Sequence, residues 1–423
     1  MVSKKFLGNK SLTLKKIGEK LISEIAQTAA KKPSQFSENF SPIFLQSGNG
    51  AYVKDLEGNK FLDTIMGIGP IILGYNHPNT NNAIITQLKN GITFSLTHPL
   101  EVKLAQTLKK ILPNMDMFRF SKTGGDATSA AIRAARNFTQ KNKILSSGYH
   151  GWHDWSAITL KKNSGIPKFN STLIKKFEYN NFEQIADNID SNTAAVIMEP
   201  MVFEYPKNNF LKKIRKITQQ KKILLIFDEM WTGFRINSGG AQKFFDINAD
   251  LVCYSKAIAN GMPISVLAGK KNIMQSLNNK SFFYTTFGGE TLSVAAAIST
   301  INFIKKNKVC KKIKYSGENM IKNLNEIISL NNFNSLKVTG YGARSILNIK
   351  DDEQLLLKTF IHQEMLKNGI LWNGIINLSY SHNTRQLNKI CSSFNKILRK
   401  INLIGIQNIK NEIHGKCIKK LIL

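Results

Sequence analysis

Cysteine is scarce in this chain: four residues in 423, at positions 253, 310, 391 and 417. None is spaced as a zinc or redox pair, which argues against a disulfide framework and against a bound metal. Free thiols in a reducing compartment are expected. Long apolar runs are lacking as well. No stretch reaches the roughly 18 residues of a membrane span, and Met1-Val-Ser-Lys-Lys-Phe-Leu-Gly-Asn-Lys10 carries charge with no apolar core after it, unlike a signal peptide. The expectation is a cytoplasmic protein with no membrane partner. Acidic residues are few, 28 against 59 basic ones, for a net charge of +31. Such charge invites a nucleic-acid reading. Only eight of the basic residues are arginine, however, and arginine is the bidentate reader of phosphates and base edges. Lysines spread over the whole length read as solvated surface. No specific nucleic-acid partner is expected, and the segment from Lys396 to Lys420 is the best place for a weak anion-binding tail. There is no internal repeat and no G-x-G-x-x-G dinucleotide fingerprint.

What is present is enough chain for two domains and an ordinary 42% hydrophobic content. Residues 10 to 35 read as helix, with Ile17, Leu21, Ile22 and Ile25 on one face. Ala51 to Asp63 reads as a hairpin around a Glu-Gly-Asn turn. From about residue 100 to 300 helical stretches alternate with short apolar runs: Asp116–Phe120, Lys143–Ser146, Ala194–Met198, Ile223–Asp228, Leu251–Tyr254 and Val266–Ala268. That alternation predicts an α/β layer with a mainly parallel sheet. After about residue 305 lysine-rich helices take over, with a strand at Ala343–Ile349, as in a smaller second α/β domain. The expected division is 1–65 as an N-terminal arm and hairpin belonging with the small domain, 66–305 as the large domain, and 306–423 as the small domain with its basic tail.

Several runs deliver reactive side chains to strand ends. Ala249-Asp-Leu-Val-Cys-Tyr-Ser-Lys256 ends an apolar strand on a lysine before a loop containing Gly261 and Pro263. Lysine is the side chain whose pKa burial lowers most readily, which suits imine chemistry. Ile223-Leu-Leu-Ile-Phe-Asp228 delivers an aspartate, and Ala194-Ala-Val-Ile-Met-Glu199 a glutamate, to the same kind of edge. A lysine for an imine and an aspartate for a pyridinium nitrogen are the groups that pyridoxal phosphate needs. Thr123-Gly124-Gly125-Asp126 opens an alanine-rich helix whose free N–H groups suit phosphate. Alone, that turn is more readily structural. Tyr149-His150-Gly151-Trp152-His153-Asp154 is rich in rings; a flat cofactor needing a stacking partner explains it better than a metal, since no separated ligand cluster exists.

In order along the chain, Gly67-Ile-Gly-Pro-Ile-Ile-Leu-Gly-Tyr-Asn-His-Pro78, Thr123-Gly-Gly-Asp-Ala127, Tyr149-His-Gly151, Glu199-Pro200, Phe227-Asp-Glu-Met-Trp-Thr-Gly-Phe-Arg235, Ser255-Lys256 and Thr286-Phe-Gly-Gly289 resemble the class III aminotransferases. The closest likeness is to the glutamate-1-semialdehyde aminomutase-like branch of the fold type I pyridoxal-phosphate enzymes. The resemblance implies that fold, with a large domain built on a seven-stranded, mainly parallel sheet and a smaller α/β C-terminal domain. It implies pyridoxal 5'-phosphate held by Lys256, with Asp228 at the pyridine nitrogen and Tyr149 on the ring. Thr123, Gly124 and Gly125 would take the phosphate, Glu199 would support the site, and Thr286 would reach in from a neighbouring subunit. A homodimer acting on a small amino donor and acceptor follows.

The chain also departs from that branch. Ser41-Pro42-Ile43-Phe44 has no arginine where the aminomutase carries one for its substrate carboxylate, Ile68 stands for a tryptophan, and Gly125 stands for a threonine. Trp152, Trp155 and Trp231 add aromatic surface, and Glu290 follows Gly289 where asparagine is common. Trp152, Ile68 and Arg235 are the candidate substrate contacts, Arg235 as the remaining carboxylate partner. The leading reading is amino transfer to a keto or aldehyde compound, such as a modified sugar. The alternatives are an intramolecular aminomutase and a non-catalytic basic binding protein on the same fold.

Overall fold

A computed structural model describes residues 6–278, 281–350 and 354–421. The chain forms two compact units: Met1–His77 with Lys312–Leu423, and Pro78–Lys311. The first unit thus takes in Gly67–His77 and begins its second segment at Lys312, where boundaries at 65 and 306 were expected. The reason is local. The Tyr75 hydroxyl donates to Asp63 at 2.6 Å and the Gly50 N–H to the Tyr75 carbonyl at 2.9 Å, which fastens the glycine-rich loop onto the hairpin.

In the first unit, helix α1 (Asn9–Leu21) ends well before residue 35. Ile22 is extended, Glu24 and Ile25 adopt positive φ, and three short 3-10 turns follow. The apolar stripe that suggested a longer helix is open to solvent, with Leu21 78% exposed. A stripe with nothing packed on it supplies little to extend a helix. Strands β1 (Leu45–Asn49), β2 (Tyr52–Asp55) and β3 (Lys60–Asp63) form an antiparallel sheet, which Ile370–Leu371 joins parallel to β3. Phe6, Phe40 and Phe61 pack edge-on beneath it at 5.3 and 5.8 Å. Leu336–Tyr341, Arg344–Ile349 and Ile375–Asn377 make a second sheet. The basic C-terminal segment is not loose. The N–H groups of Lys416 and Lys419 donate to the Glu38 and Ser34 carbonyls at 2.8 Å, and Ile418 is buried.

The second unit holds helices α2 (Pro78–Leu88) and α3 (Pro99–Lys109), strand β4 (Met117–Ser121) and helix α4 (Gly124–Thr139). Strands β5 (Lys143–Ser147), β6 (Ile174–Lys176), β7 (Thr193–Met198), β8 (Leu224–Asp228), β9 (Leu251–Tyr254) and β10 (Ser265–Gly269) complete a seven-stranded sheet ordered β4-β10-β9-β8-β7-β5-β6. Only β10 runs against its neighbours. Strands β7 to β10 are buried at every position, which is why they read as unbroken apolar runs. Thr123 and Asp126 form a capping box that starts α4. Its buried face of Ala127, Ala130, Ala131, Ala134 and Ala135 is small enough to let the helix lie close on β7, β9 and β10.

Candidate active site

Because β4, β5, β7, β8 and β9 run the same way, their carboxyl ends share one edge of the sheet, where open α/β folds bind ligands. Register fixes the alignment. Ser147 pairs with Met198, Met198 with Phe227, and Asp228 with Cys253. The residues just beyond these pairs are Tyr149, Glu199 and Lys256. The structure therefore brings Tyr149, Glu199, Asp228 and Lys256 to one edge.

Asp228 ends β8 fully within the protein, 2% exposed. Its Oδ2 lies 2.7 Å from His150 Nδ1, and its Oδ1 accepts the Met230 N–H at 3.0 Å. A carboxylate has about four acceptor positions, so two hydrogen bonds leave capacity for a further donor. His150 is buried too, and its Nε2 has no hydrogen-bond partner. Its ring stacks on Trp155 with centroids 6.0 Å apart.

Lys256 opens a 3-10 turn with φ at +45°, a conformation that costs a non-glycine residue of order 1–3 kcal/mol. Strain of that kind persists where the surroundings over-determine it, and here the strand end and the buried Ala257–Ala259 turn do so. The lysine Nζ stands 4.0 Å from the centre of the Trp231 ring, a cation–π distance.

The third component is the start of α4. By helix geometry the N–H groups of Gly124 and Gly125 have no intrahelical acceptor. The next N–H, of Asp126, bonds the Thr123 hydroxyl at 3.2 Å, while Asp126 Oδ2 accepts from Thr123 N–H at 2.7 Å. Gly151 sits over this turn at φ +113°, and a Cβ there would come within 2.7 Å of the Gly125 Cα. The Thr128 hydroxyl donates to the His150 carbonyl at 2.6 Å and locks the loop down. Gly148, at φ +107°, leaves room for Glu199, whose Oε1 would be 2.9 Å from a Cβ there and accepts the Tyr149 N–H at 3.4 Å. Tyr149 itself is 45% exposed, and partial burial raises its pKa.

The remaining expected residues are placed differently. Thr286 lies exposed in the loop before Glu290, and Trp152 is 73% exposed. Arg235 is only 1% exposed. Ile68, at φ +68°, packs against the Phe40 and Phe61 cluster of the first unit. His150 and His153 take separate partners, Asp228 and Ser129, and no cluster of three metal-ligating side chains occurs among the described residues. Reading the sequence missed the role of His150 as neighbour of Asp228. It also missed the ion pair of Lys122 Nζ with Glu290 Oε2 at 2.8 Å. Nothing in the local sequence pairs residues so far apart.

Residues 34–398 match the family model described as aminotransferase class-III. The chain belongs to the class-III aminotransferases. It is 37% identical over 310 residues to a glutamate-1-semialdehyde 2,1-aminomutase of Methanococcoides burtonii, covering 68% of this chain and 73% of that protein. It is 33% identical over 353 residues to a 3-aminobutyryl-CoA aminotransferase of Cloacimonas acidaminovorans, covering 80% of this chain and 84% of that one. Among solved structures, the pyridoxal-phosphate internal aldimine form of FumI from Sphingopyxis sp. MTA144 superposes with a TM-score of 0.87 over 94% of this chain and 97% of that one, at 24% identity. The fold is fold type I, and this class-III chain is a pyridoxal-phosphate-dependent enzyme of the aminotransferase or aminomutase kind. The site suits that cofactor. Asp228 keeps acceptor capacity for a ring N–H, two glycines open the start of α4 to a phosphate, and Lys256 stands at the same sheet edge.

Proposed function

We propose that this class-III enzyme moves an amino group from a small donor to a keto or aldehyde acceptor, with Lys256 as the base and Asp228 as its electrostatic counterpart. The observation that carries the reading is the register of β8 and β9, in which Asp228 pairs with Cys253 and Lys256 follows just beyond the strand end. When bound, pyridoxal phosphate supplies an electron sink for the carbon that loses its proton. Lys256 would hold the cofactor through its Nζ and would serve as the base that takes a proton from the substrate carbon. Asp228 accepts from the ring nitrogen and keeps it protonated, and His150 holds the carboxylate in place. Tyr149 covers the ring. The N–H groups of Gly124 and Gly125 and the hydroxyl of Thr123 receive the phosphate, while Glu199 holds the Tyr149 backbone. Trp152 is the substrate-facing wall of this reading; Arg235, at 1% exposed, has no surface to offer a substrate.

The working form in this reading is a homodimer in which Thr286 reaches the partner's phosphate. Ile85, Leu88, Ile92, Phe94, Leu96 and Val102 are each exposed in the second unit, apolar side chains that a partner subunit would cover. A cytoplasmic setting suits the four free cysteines. No described helix is long and apolar enough to cross a membrane.

The aminomutase reading has support in the similarity to enzymes of that name. Phe44, standing where the resemblance to the aminomutase branch implies an arginine, favours a different acceptor, such as a modified sugar. Product analysis separates the two. Turnover of glutamate-1-semialdehyde alone, with no amino donor needed, would end the transfer reading. Dependence on an added amine supports it, and a Lys256→Ala protein should then transfer nothing.

A further inference from the structure

His153 has no part in the functions assigned so far, yet it is held as firmly as the residues that do. Its Nδ1 is 2.5 Å from Ser129 Oγ on α4, and the Trp155 indole N–H donates to the same oxygen at 2.8 Å. Trp152 lies edge-on to the imidazole at 5.1 Å. With an N–H donating into Ser129 Oγ, the serine O–H is available to donate to Nδ1, which leaves the proton of a neutral imidazole on Nε2. That nitrogen stands beside the first turn of α4, where a Cβ built on Gly125 would be 3.6 Å from it. Gly124 and Gly125 put no side chain in between. The charged group facing Nε2 is Asp126, whose Oδ1 is 3.8 Å away. The other oxygen of Asp126 is occupied by the N–H groups of Thr123 and Lys122. The imidazole side chain is 29% exposed, so its outer edge remains open.

We propose that His153 is a further cofactor-holding residue, donating through Nε2 to the phosphate received by the Gly124 and Gly125 N–H groups. It supplies from the following loop a donor that the side-chain-free first turn cannot supply itself. The Trp155–Ser129–His153 relay sets which nitrogen carries the proton. This inference rests on the reading that the phosphate lies at the start of α4.

The test compares two ligands on the cofactor-stripped full-length protein: pyridoxal phosphate, and pyridoxal, which has the aldehyde but no phosphate. Binding is read from the visible absorption band on titration. His153→Ala should weaken pyridoxal phosphate by about tenfold or more, the loss expected for a hydrogen bond to a charged group, and leave pyridoxal unchanged. His153→Gln, which keeps a donor near the Nε2 position, should recover most of that loss. Equal weakening of both ligands would mean a structural role and overturn the inference, as would no weakening of either. If the unaltered protein prefers the phosphate form and His153→Ala keeps that preference in full, the inference alone fails. If the unaltered protein binds both ligands alike, the phosphate site at α4 itself is wrong and the inference falls with it.

Discussion

His150 Nδ1 and Asp228 Oδ2 lie 2.7 Å apart with both side chains shut off from solvent. One residue comes from the loop after β5 and the other is the last of β8, so the contact joins two strand ends across β7. A buried carboxylate held from one side by an imidazole and from another by the Met230 N–H has little freedom to turn. It can present its remaining acceptor capacity in a fixed direction.

Removing that contact leaves a buried carboxylate short of a partner. His150→Ala should therefore cost about 1–3 kcal/mol of stability, read as a lowered denaturant midpoint. Asp228→Asn, which keeps the shape, should fold but lose roughly a hundredfold or more in amino-transfer rate. A His150→Ala protein with an unchanged midpoint would contradict the role given to the pair.

Glu229, next to Asp228, faces the other way and is buried beneath Thr232, Ala241 and Gln242. Burial pushes its pKa up from 4.5 to about 7, while the N–H of Ala241 and the hydroxyl of Thr232 pull it down. Between those two values the folded state keeps a proton that the unfolded state has released. Stability should thus fall as pH rises from about 4.5 to about 7 and level off above, by on the order of 3 kcal/mol in all. Glu229→Gln removes this component. Because Gln mimics the protonated acid, unfolding curves should nearly coincide at about pH 5 and separate at about pH 8, where the Gln protein is the more stable; equal separation at both would refute the assignment.

Gly151 has no room for a side chain. A Cβ there would meet the Gly125 Cα at 2.7 Å, in a backbone conformation at φ +113° that strains any L-residue. Gly151→Ala should cost about 1–3 kcal/mol and weaken cofactor retention through a displaced α4 start. Gly165, also at positive φ but with nothing within 4 Å, is the control. Gly165→Ala should leave cofactor retention as it was, and equal loss in both variants would argue against the close approach.

Glu290 caps the helix Thr291–Lys306 by accepting from the Leu292 and Ser293 N–H groups, and it also takes Lys122 at 2.8 Å. Glu290→Ala removes cap and ion pair together and should cost about 1–2 kcal/mol. Lys122→Met removes the ion pair and the 3.3 Å bond to Ser293 Oγ but leaves the cap, and should cost less. Thermal unfolding of both variants checks the order, and a reversed order would show that the cap contributes little.

Much of the large sheet was legible because its strands are buried on both faces and write themselves as apolar runs. Ile223–Asp228 and Leu251–Tyr254 came out within a residue of β8 and β9. Lys256 and Asp228 were legible for the same reason, as polar residues closing apolar strands. β6 was not, since Lys175 and Lys176 face outward and leave a single buried position. The helix reading of residues 10–35 failed because a periodic stripe predicts a face but not what covers it. His150, His153 and Lys122 escaped notice as site neighbours for a different reason. Their partners Asp228, Ser129 and Glu290 are brought to them only by the sheet order and by the packing of α4.

The central claim is that the amine of Lys256 bonds the cofactor beside the carboxylate of Asp228. Borohydride reduction of the purified protein, followed by peptide mapping, tests it most directly. The account predicts one pyridoxyl-modified peptide, containing Lys256 within Leu251–Pro263, and none in a Lys256→Ala protein. A pyridoxyl group found on any other of the chain's lysines, with Lys256 unmodified, would contradict it.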